Sequence, residues 1–401
     1  MEKIFIQIAS YRDPELPKTV ASALSSAEHP ERLVFGICRQ FNPDDGCDSL
    51  DAYAGDARFR IDDVDCKDSR GCCWARARVQ ALWQDEEYTL QLDAHHRFAD
   101  GWDSDLIDML DRCDSPKPIV TSYAPQYNIL TEVRNPGSCR MRPIFQGIPV
   151  ITRFRPESLG ATKLMRHPFW SGHLMFTRGS FCREVPYDPE LYFIGEEISM
   201  AARSWTSGYD MFLPDKTTVW HQYVAGGKRT RHWTDHTRAN GSGEPYLLLD
   251  KISKRRVTRL LSGEDLGVFG LGTVRTLEDY ENAAGICFRK SYISPEAAAH
   301  AAMPIFSDDA WVPDKVRVFK VKLDWSSCLD ELEAYGPGSL AVFMGGERRD
   351  LPCRKGIPVS LDIAITATHV PENYTVWPYK LKPLDWGPKK ILKVLNYAKI
   401  N

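Results

Sequence analysis

The chain has 401 residues, a formal net charge of −3, and apolar and charged fractions of 43% and 26%. This length suits one large domain plus a smaller one, and the composition allows each to bury a core. The charge argues against a general nucleic-acid-binding or membrane-surface role. The sequence contains no run of about 18 apolar residues, so no transmembrane segment is predicted. The N-terminus lacks signal-peptide features and the 11 cysteines form no repeated framework, so we expect a cytoplasmic protein with free thiols.

Strand-like and helix-like segments alternate through the first 125 residues. The predicted strands are 3–9, 32–40, 59–65, 88–93 and 118–125, and the predicted helices are 16–26, 71–84 and 101–113. Such alternation predicts an α/β domain with a mostly parallel sheet.

The pattern changes twice in the rest of the chain. Residues 125–165 lack a regular period and are predicted as surface loops. Further strands are predicted at 173–181, 209–215 and 217–223, with helices at 196–208, at 251–262 and after Thr276, where Asp279 stands at capping-box spacing. From about residue 305, strand-like runs separated by Pro and Gly predict a small antiparallel domain. We therefore expect a catalytic domain at 1–300 and a β-rich accessory domain at 305–401.

Polar residues follow the predicted strand in "LQLDAHHRF", residues 90–98. Residues two apart on a strand face the same way, so Asp93 and His95 present a carboxylate and an imidazole side by side, while His96 points away. An oxygen and a nitrogen ligand at the carboxyl end of a strand suit Mn²⁺, and Mg²⁺ less well. The alternative is structural: Asp93 caps the next turn and His95 is a hydrogen-bonded surface histidine.

A second histidine strengthens the metal interpretation. His221 ends the strand-like "TTVWHQY" and is expected at the same edge of the sheet. Two acids, Glu196 and Glu197, follow Gly195 and open an amphipathic helix. They either complement the positive helix end or contact a polar substrate at the mouth of the sheet.

Several motifs in chain order resemble those of the polypeptide α-N-acetylglucosaminyltransferases, cytoplasmic enzymes that modify hydroxyproline or threonine. The motifs are "IASYRDPE", "GCCWARARVQALW", "LQLDAHHRF", "FWSGHLMFTRG", "VPYDPELYFIGEEISMAARSWTSGYD" and "VWHQY", within residues 3–285. More distantly the chain is similar to the mucin-type polypeptide GalNAc-transferases. The resemblance implies a GT-A fold, a twisted, mostly parallel sheet flanked by helices, and a UDP-sugar donor bound through a divalent metal with retention of anomeric configuration.

The resemblance also implies roles for individual residues. Asp93 and His95 would be the Asp-x-His pair and His221 the third metal ligand, and Glu196 or Glu197 would line the sugar pocket. The segment with Arg70, Gly71 and Arg76 would contact the nucleotide, and Ser10 and Arg12 would lie near the uracil. The distant relatives carry a tryptophan and an asparagine around the acid, where this chain has Ile194 and Glu197.

A glycine-rich, basic stretch follows His221, carrying Arg229, Arg231, His232 and Trp233. We expect it to fold over the diphosphate, supply cationic groups and exclude water, the alternative being a solvated basic loop. Trp170 and His173 in "WSGH" are expected to border the sugar or the acceptor, although Trp170 equally suits a core.

The main hypothesis is a metal-dependent, retaining glycosyltransferase that transfers GlcNAc from UDP-GlcNAc to a hydroxyl on a protein or a glycan. The alternatives are a bacterial polysaccharide or glycolipid glycosyltransferase using another UDP-hexose, a metal-dependent hydrolase, and a catalytically silent carbohydrate-binding protein.

Overall fold

A computed structural model describes most of the chain and divides it into two compact units, Met1–Ala284 and Gly285–Asn401. The described residues are 2–128, 130–135, 137–145, 152–159, 163–223, 229–237, 245–294, 297, 317–344, 347–353, 356–367, 370–381 and 384–400. No helix within these residues is long and apolar enough to cross a membrane.

The first unit contains twelve described strands, eight of which form one sheet. These strands are β1 (Ile4–Tyr11), β2 (Leu33–Phe41), β3 (Phe59–Asp65), β4 (Tyr88–Asp93), β5 (His96–Phe98), β6 (Pro118–Thr121), β7 (Ser138–Phe145), β8 (Thr152–Leu159), β9 (Met165–Arg166), β10 (Leu174–Arg178), β11 (Asp210–Leu213) and β12 (Val219–His221). The sheet order is β3-β2-β1-β4-β10-β6-β11-β9. The pairs β3–β2, β2–β1, β1–β4 and β6–β11 are parallel, whereas β10 is antiparallel to both β4 and β6, and β9 to β11.

Helices surround this sheet. They are α1 (Leu16–Ser26), α2 (Cys72–Gln80), α3 (Trp102–Asp111), α4 (Phe181–Glu184), α5 (Glu196–Thr206), α6 (His232–Asp235), α7 (Tyr246–Leu261) and α8 (Leu277–Ala284). The first residues of β1 are buried on both faces, which explains why "IFIQI" reads as a nearly continuous apolar run. Its side chains alternate between two clusters, with Ile4 and Ile6 in the larger core and Phe5 packed with Ala75 and Val79 of α2.

A short two-stranded sheet brings distant residues to the end of the large sheet. β12 pairs antiparallel with β5, and His221 lies opposite His96 in this register. Since β5 follows β4 after only two residues, the pairing carries the end of β12 to the carboxyl end of β4.

The second unit is β-rich and has its own core. Its strands are β13 (Ile286–Cys287), β14 (Tyr292–Ile293), β15 (Arg317–Asp324), β16 (Ser339–Met344), β17 (Glu347–Pro352), β18 (Ser360–Ala367), β19 (Asn373–Leu381), β20 (Leu384–Trp386), β21 (Lys390–Lys393) and β22 (Asn396–Ile400), with one helix, α9 (Leu329–Tyr335). All described strand pairs in this unit are antiparallel. Leu323, Trp325, Leu340 and Val376 are central to the core.

Most predicted segments of the first unit correspond to observed elements, but residues 125–165 do not match their prediction. Instead of loops only, they contain the antiparallel hairpin β7–β8. Its "CRMRPIF" and "TRFRPES" mix charges and prolines with apolar residues, which hides the strand period. The helix predicted at 251–262 begins earlier, at Tyr246, and the Thr276–Asp279 capping box at the start of α8 is confirmed.

Candidate functional site

A cavity of about 480 Å³ opens where β1 and β4 end, at the carboxyl edge of the parallel strands. Ligands of α/β sheets bind at this edge because the loops that follow parallel strands meet there. The predicted site residues that line it are Gly71, Arg76, Asp93, His95, His173, Glu196, Glu197, His221, Arg229, Arg231 and Trp233.

Four of the predicted residues do not line the cavity. Ser10 and Trp170 are fully buried beneath the surface, and Arg70 is exposed. Arg12 forms ion pairs with Asp45 at 2.6 Å and Asp235 at 2.8 Å. In this conformation Arg12 therefore holds two chain segments together.

Asp93 lies at the centre of a group of histidines. Its Oδ2 is 3.3 Å from Nε2 of His221 and 3.8 Å from Nε2 of His95. One ligand atom from each of Asp93, His173 and His221 also lies within 4.8 Å of the other two. Metal bonds of about 2.0–2.2 Å place ligand atoms about 3–4 Å apart, a spacing that the distances from Asp93 to His221 and to His95 both match. Among the described residues, however, the three whose ligand atoms all lie near one another are Asp93, His173 and His221, a set that does not include His95.

His95 is oriented by a buried carboxylate that sequence analysis missed. Its Nδ1 is 2.9 Å from Oδ2 of Asp13. Burial opposes ionisation of Asp13 and is the largest single influence, but His95, the backbone N–H of Glu15 and the charge of Arg229 together outweigh it, so the pKa of this carboxyl lies below its ordinary value. The sequence assigns no role to Asp13, because nothing in the motif "SYRDPE" points to a contact with residue 95.

His173 is placed differently from His95. The backbone N–H of Ala124 donates to its Nε2 at 3.2 Å, which occupies the lone pair of that nitrogen. The hydroxyl of Tyr223, which donates to the carbonyl oxygen of Ala124 at 2.7 Å, lies 3.2 Å from the same nitrogen. Nε2 of His173 is thus engaged by the protein on two sides. His173 lies within reach of the cluster, and its ring stacks on that of His221 with centroids 4.3 Å apart.

His221 is buried, and burial lowers the pKa of its imidazole well below the ordinary value. It is therefore neutral, the form that ligates a metal. The ring is held by stacking on His173 and by edge contact with Tyr223, with centroids 4.4 Å apart. Its Nδ1 is buried without a hydrogen-bond partner in the described residues.

Arg76 of α2 connects the two acidic parts of the site. It is 4% exposed and places Nη2 2.7 Å from Oδ1 of Asp93 and Nη1 3.0 Å from Oε1 of Glu196. It also donates to the carbonyl oxygen of Gly172. A Cβ at position 172 would lie 3.3 Å from Nη1 of Arg76 and 3.4 Å from Oε1 of Glu196, so a larger residue there would press on this ion pair.

The two acids at the start of α5 occupy different environments. Glu196 is buried against Arg76 and accepts a hydrogen bond from Tyr187 at 2.7 Å. Glu197 is partly buried and accepts from Tyr123 at 2.6 Å and from the backbone N–H of Gly172 at 3.0 Å. Burial raises the pKa of both acids, that of Glu197 to about 7. Glu197 therefore changes charge near neutral pH.

The described residues 229–237, here called the strap, run along the cavity and include α6. His232 and His236 place their Nε2 atoms 3.2 Å and 2.8 Å from the carbonyl oxygens of Ser69 and Cys66. Burial, and then the neighbouring His236, lowers the pKa of His232 to about 4, so His232 supplies no positive charge at neutral pH. The other predicted parts of this stretch, 224–228 and 238–243, lie outside the described residues.

The strap brings Arg229, Arg231 and Trp233 to the cavity wall. The Nη1 atom of Arg229 is buried and has no hydrogen-bond partner among the described residues. A buried guanidinium N–H without an acceptor costs free energy unless a ligand supplies one.

The sequence of the chain matches the model of one protein family. The sequence model of the Glycosyltransferase (GlcNAc) family matches residues 3–61 and 55–290, well over half of the chain. No curated protein matches.

The chain is also similar to solved structures. A crystal structure of GalNAc-T7 with UDP, GalNAc and Mn²⁺ matches with a TM-score of 0.52 at 15% identity, covering 88% of this chain and 66% of that chain. This likeness shows the fold and confirms the predicted GT-A class; the chain spans just under two thirds of that structure's length. Structures of S. aureus TarS 1–349, alone and with UDP-GlcNAc, match at 11% identity with TM-scores of 0.37 and 0.38. They cover 55% and 65% of this chain and 60% and 73% of theirs, and scores this low carry no argument.

The family match covers the large sheet, the cavity and every predicted site residue, whereas the strands after residue 290 lie outside it. The resemblance inferred from the sequence motifs therefore holds at the level of the family. The chain belongs to the Glycosyltransferase (GlcNAc) family.

Proposed function

We propose that this chain is a metal-dependent, retaining glycosyltransferase that transfers GlcNAc from UDP-GlcNAc to a hydroxyl group. The observation that carries the proposal is a cavity with metal-ligand chemistry on one wall and, on the strap, a buried arginine nitrogen that has no hydrogen-bond partner among the described residues. A nucleoside diphosphate sugar needs both, because its diphosphate binds a cation and accepts hydrogen bonds from guanidinium groups.

Asp93, His95 and His221 are the proposed ligands of Mn²⁺ or Mg²⁺. The two histidines and one carboxylate are borderline donors, which favours Mn²⁺ over Mg²⁺. A bound divalent cation would supply Lewis-acid stabilisation of the charge that develops on the leaving diphosphate. Three protein ligands leave coordination positions for phosphate oxygens.

The strap would hold the diphosphate from the other side. Arg229 offers its buried Nη1, and Arg231 lies over the Trp233 ring with its guanidinium carbon 5.5 Å from the ring centroid. The anchors at Ser69 and Cys66 keep this wall in place and exclude water from the reacting groups. Gly71 and Arg76 are proposed to contact the nucleotide side of the cavity.

Glu197 is the proposed recognition residue for the sugar hydroxyls. Both of its oxygens already accept one hydrogen bond, and each keeps a second lone pair for a sugar hydroxyl. Glu196 is tied to Arg76 and Tyr187, so we assign it to holding Arg76 beside Asp93 rather than to direct attack. Trp233 supplies an aromatic wall.

Retention is proposed to occur by attack on the same face as the leaving group, with a phosphate oxygen taking the acceptor proton. This assignment is supported by the acids that line the cavity. Four acids line the described part of the cavity: Asp13, Asp93, Glu196 and Glu197. Asp93 and Glu196 are ion-paired with Arg76, and Glu197 accepts two hydrogen bonds. Asp13 is held by the backbone N–H of Glu15 and by His95, so none of the four stands as an unpaired nucleophile. The acceptor is proposed to be a protein hydroxyproline or threonine or a glycan hydroxyl, from the resemblance of the motifs.

A donor screen tests this function. Purified protein with Mn²⁺ is offered UDP-GlcNAc, UDP-GalNAc, UDP-glucose and UDP-galactose, with and without hydroxyproline peptides, threonine peptides and oligosaccharides, and released UDP is measured. We expect UDP-GlcNAc with an acceptor to give the highest rate, EDTA to abolish it, and NMR of the product to show the α-anomer. Turnover without any nucleotide sugar would instead identify a hydrolase, and a β-linked product would contradict retention.

The pH dependence of donor use tests Glu197. We expect kcat/KM for the donor to rise with pH through an apparent pKa near 7, because only the ionised carboxylate accepts hydrogen bonds from sugar hydroxyls at both oxygens. Glu197→Gln is expected to lower kcat/KM by about 10²-fold and to remove this inflection. The comparison is made from pH 5.5 to 8.5. Tyr123→Phe keeps the acid but removes a hydrogen bond that lowers its pKa, so we expect its inflection at higher pH than that of the wild type. An unchanged inflection in Glu197→Gln would contradict the assignment.

A further inference from the structure

Asp13 lies between β1 and α1, is 3% exposed, and uses both of its carboxylate oxygens. Oδ1 accepts the backbone N–H of Glu15 at 3.0 Å, and Oδ2 is 2.9 Å from Nδ1 of His95. The contact with Glu15 stabilises the turn before α1. The contact with His95 joins Asp13 to a cavity residue that is 82 positions away in the sequence.

This arrangement determines which nitrogen of His95 carries the proton. An ionised carboxylate only accepts hydrogen bonds, so Nδ1 of His95 must be the donor. In the neutral ring Nε2 then has a free lone pair. Nε2 lies 3.8 Å from Oδ2 of Asp93, too far for a direct hydrogen bond, and a lone pair there is available to a cation between them.

His96, His173 and His221 also lie near Asp93, and among the described residues none of them has such a carboxylate partner on its second nitrogen. Nδ1 of His221 has no hydrogen-bond partner among the described residues, and Nε2 of His173 accepts from Ala124. His95 is thus the described imidazole of this group whose outer nitrogen is held by a buried carboxylate.

We propose that Asp13 is a positioning residue that fixes His95 in its Nδ1–H tautomer and aims Nε2 at a divalent cation shared with Asp93. Outer-shell carboxylates act in this way on metal-bound histidines, and their loss costs about 10–100-fold in metal affinity. The inference rests on the proposed metal-dependent function, but it concerns a residue that does not itself contact the metal.

Asp13→Asn nearly preserves the shape of the side chain at position 13, but it removes the negative charge and changes which tautomer of His95 is favoured. An asparagine has one acceptor oxygen, whereas the site presents two N–H donors, from Glu15 and from His95. If the oxygen stays with the fixed backbone N–H of Glu15, the amide NH₂ faces Nδ1 of His95. The imidazole must then accept at Nδ1 and carry its proton on Nε2, where it blocks metal binding.

Two measurements test the proposal without relying on turnover. Nitrogen-15 NMR of the histidines in metal-free protein, assigned with His95→Ala, is expected to show Nδ1–H in the wild type and Nε2–H in Asp13→Asn. EPR titration with Mn²⁺ alone is expected to show affinity about 10–100-fold weaker in Asp13→Asn. An Nε2–H tautomer of His95 in the wild type would overturn the proposal even if the variant fails to fold.

The matched control is Asp103→Asn. Asp103 is a fully buried aspartate of α3 that accepts the backbone N–H groups of Glu28 and His29 at 2.7 Å and 3.0 Å, away from the cavity. It is expected to keep wild-type Mn²⁺ affinity. Wild-type protein that binds no Mn²⁺ would overturn the metal-dependent function itself, whereas Mn²⁺ bound equally by wild type and Asp13→Asn would overturn only the role of Asp13.

Discussion

Replacing Arg76 with methionine is expected to lower the free energy of unfolding of the first unit by about 3–5 kcal/mol, the usual result of removing one partner from a buried ion pair. Methionine keeps most of the apolar stem but leaves Asp93 and Glu196 facing each other without a cation. The loss should shrink as the pH falls, because protonated carboxyl groups no longer repel. Denaturant unfolding followed by tryptophan fluorescence, with the two units fitted separately, measures it.

Arg78→Met is the matched control on the same helix. Arg78 also pairs with an aspartate, Asp62, at 2.6 Å, but its side chain is 41% exposed. Solvent screens such a pair, so we expect a loss below about 1 kcal/mol. Equal losses for Arg78→Met and Arg76→Met would show that the buried pairs of Arg76 do not stabilise the fold as described.

Asp93→Asn is expected to abolish Mn²⁺-dependent transfer. The change removes the only carboxylate of the proposed ligand set, so Mn²⁺ affinity should fall more than about 100-fold, beyond the effect of losing an outer-shell partner. His95→Ala should behave similarly. Calorimetric or EPR titration with Mn²⁺, alongside UDP release, measures both variants.

His173→Ala distinguishes the two candidate ligand sets. Because Nε2 of His173 accepts from Ala124, we expect its loss to change Mn²⁺ affinity by less than about tenfold. If His173→Ala instead destroys Mn²⁺ binding while His95→Ala leaves it intact, the set Asp93, His173 and His221 holds the cation. Circular dichroism of each variant checks that the comparison is between folded proteins.

The alternation of strands and helices in the first 125 residues was enough to predict the α/β class, because both periods are local properties of the chain. The capping box at Thr276 was predictable for the same reason. The hairpin β7–β8 was not, since its strands carry arginines and prolines at positions where a strand pattern shows apolar residues.

Only some residues of the candidate site could be predicted from the sequence. Asp93 and His95 stand two apart after a strand, so their placement followed from strand geometry. Asp13 and Tyr123 were missed because their roles come from contacts with His95 and Glu197, which only the folded chain brings near. The motif resemblance predicted Arg12 near the uracil of the donor, whereas in the structure Arg12 forms ion pairs with Asp45 and Asp235.

The direction of β10 has a consequence for how such a chain delivers residues to its site. In an all-parallel sheet, every strand contributes the residues that come after it. β10 runs against its neighbours β4 and β6, so the residues before it, Gly172 and His173, arrive at the same rim as Asp93. A search for functional side chains in this family should therefore look upstream of the reversed strand and downstream of the others.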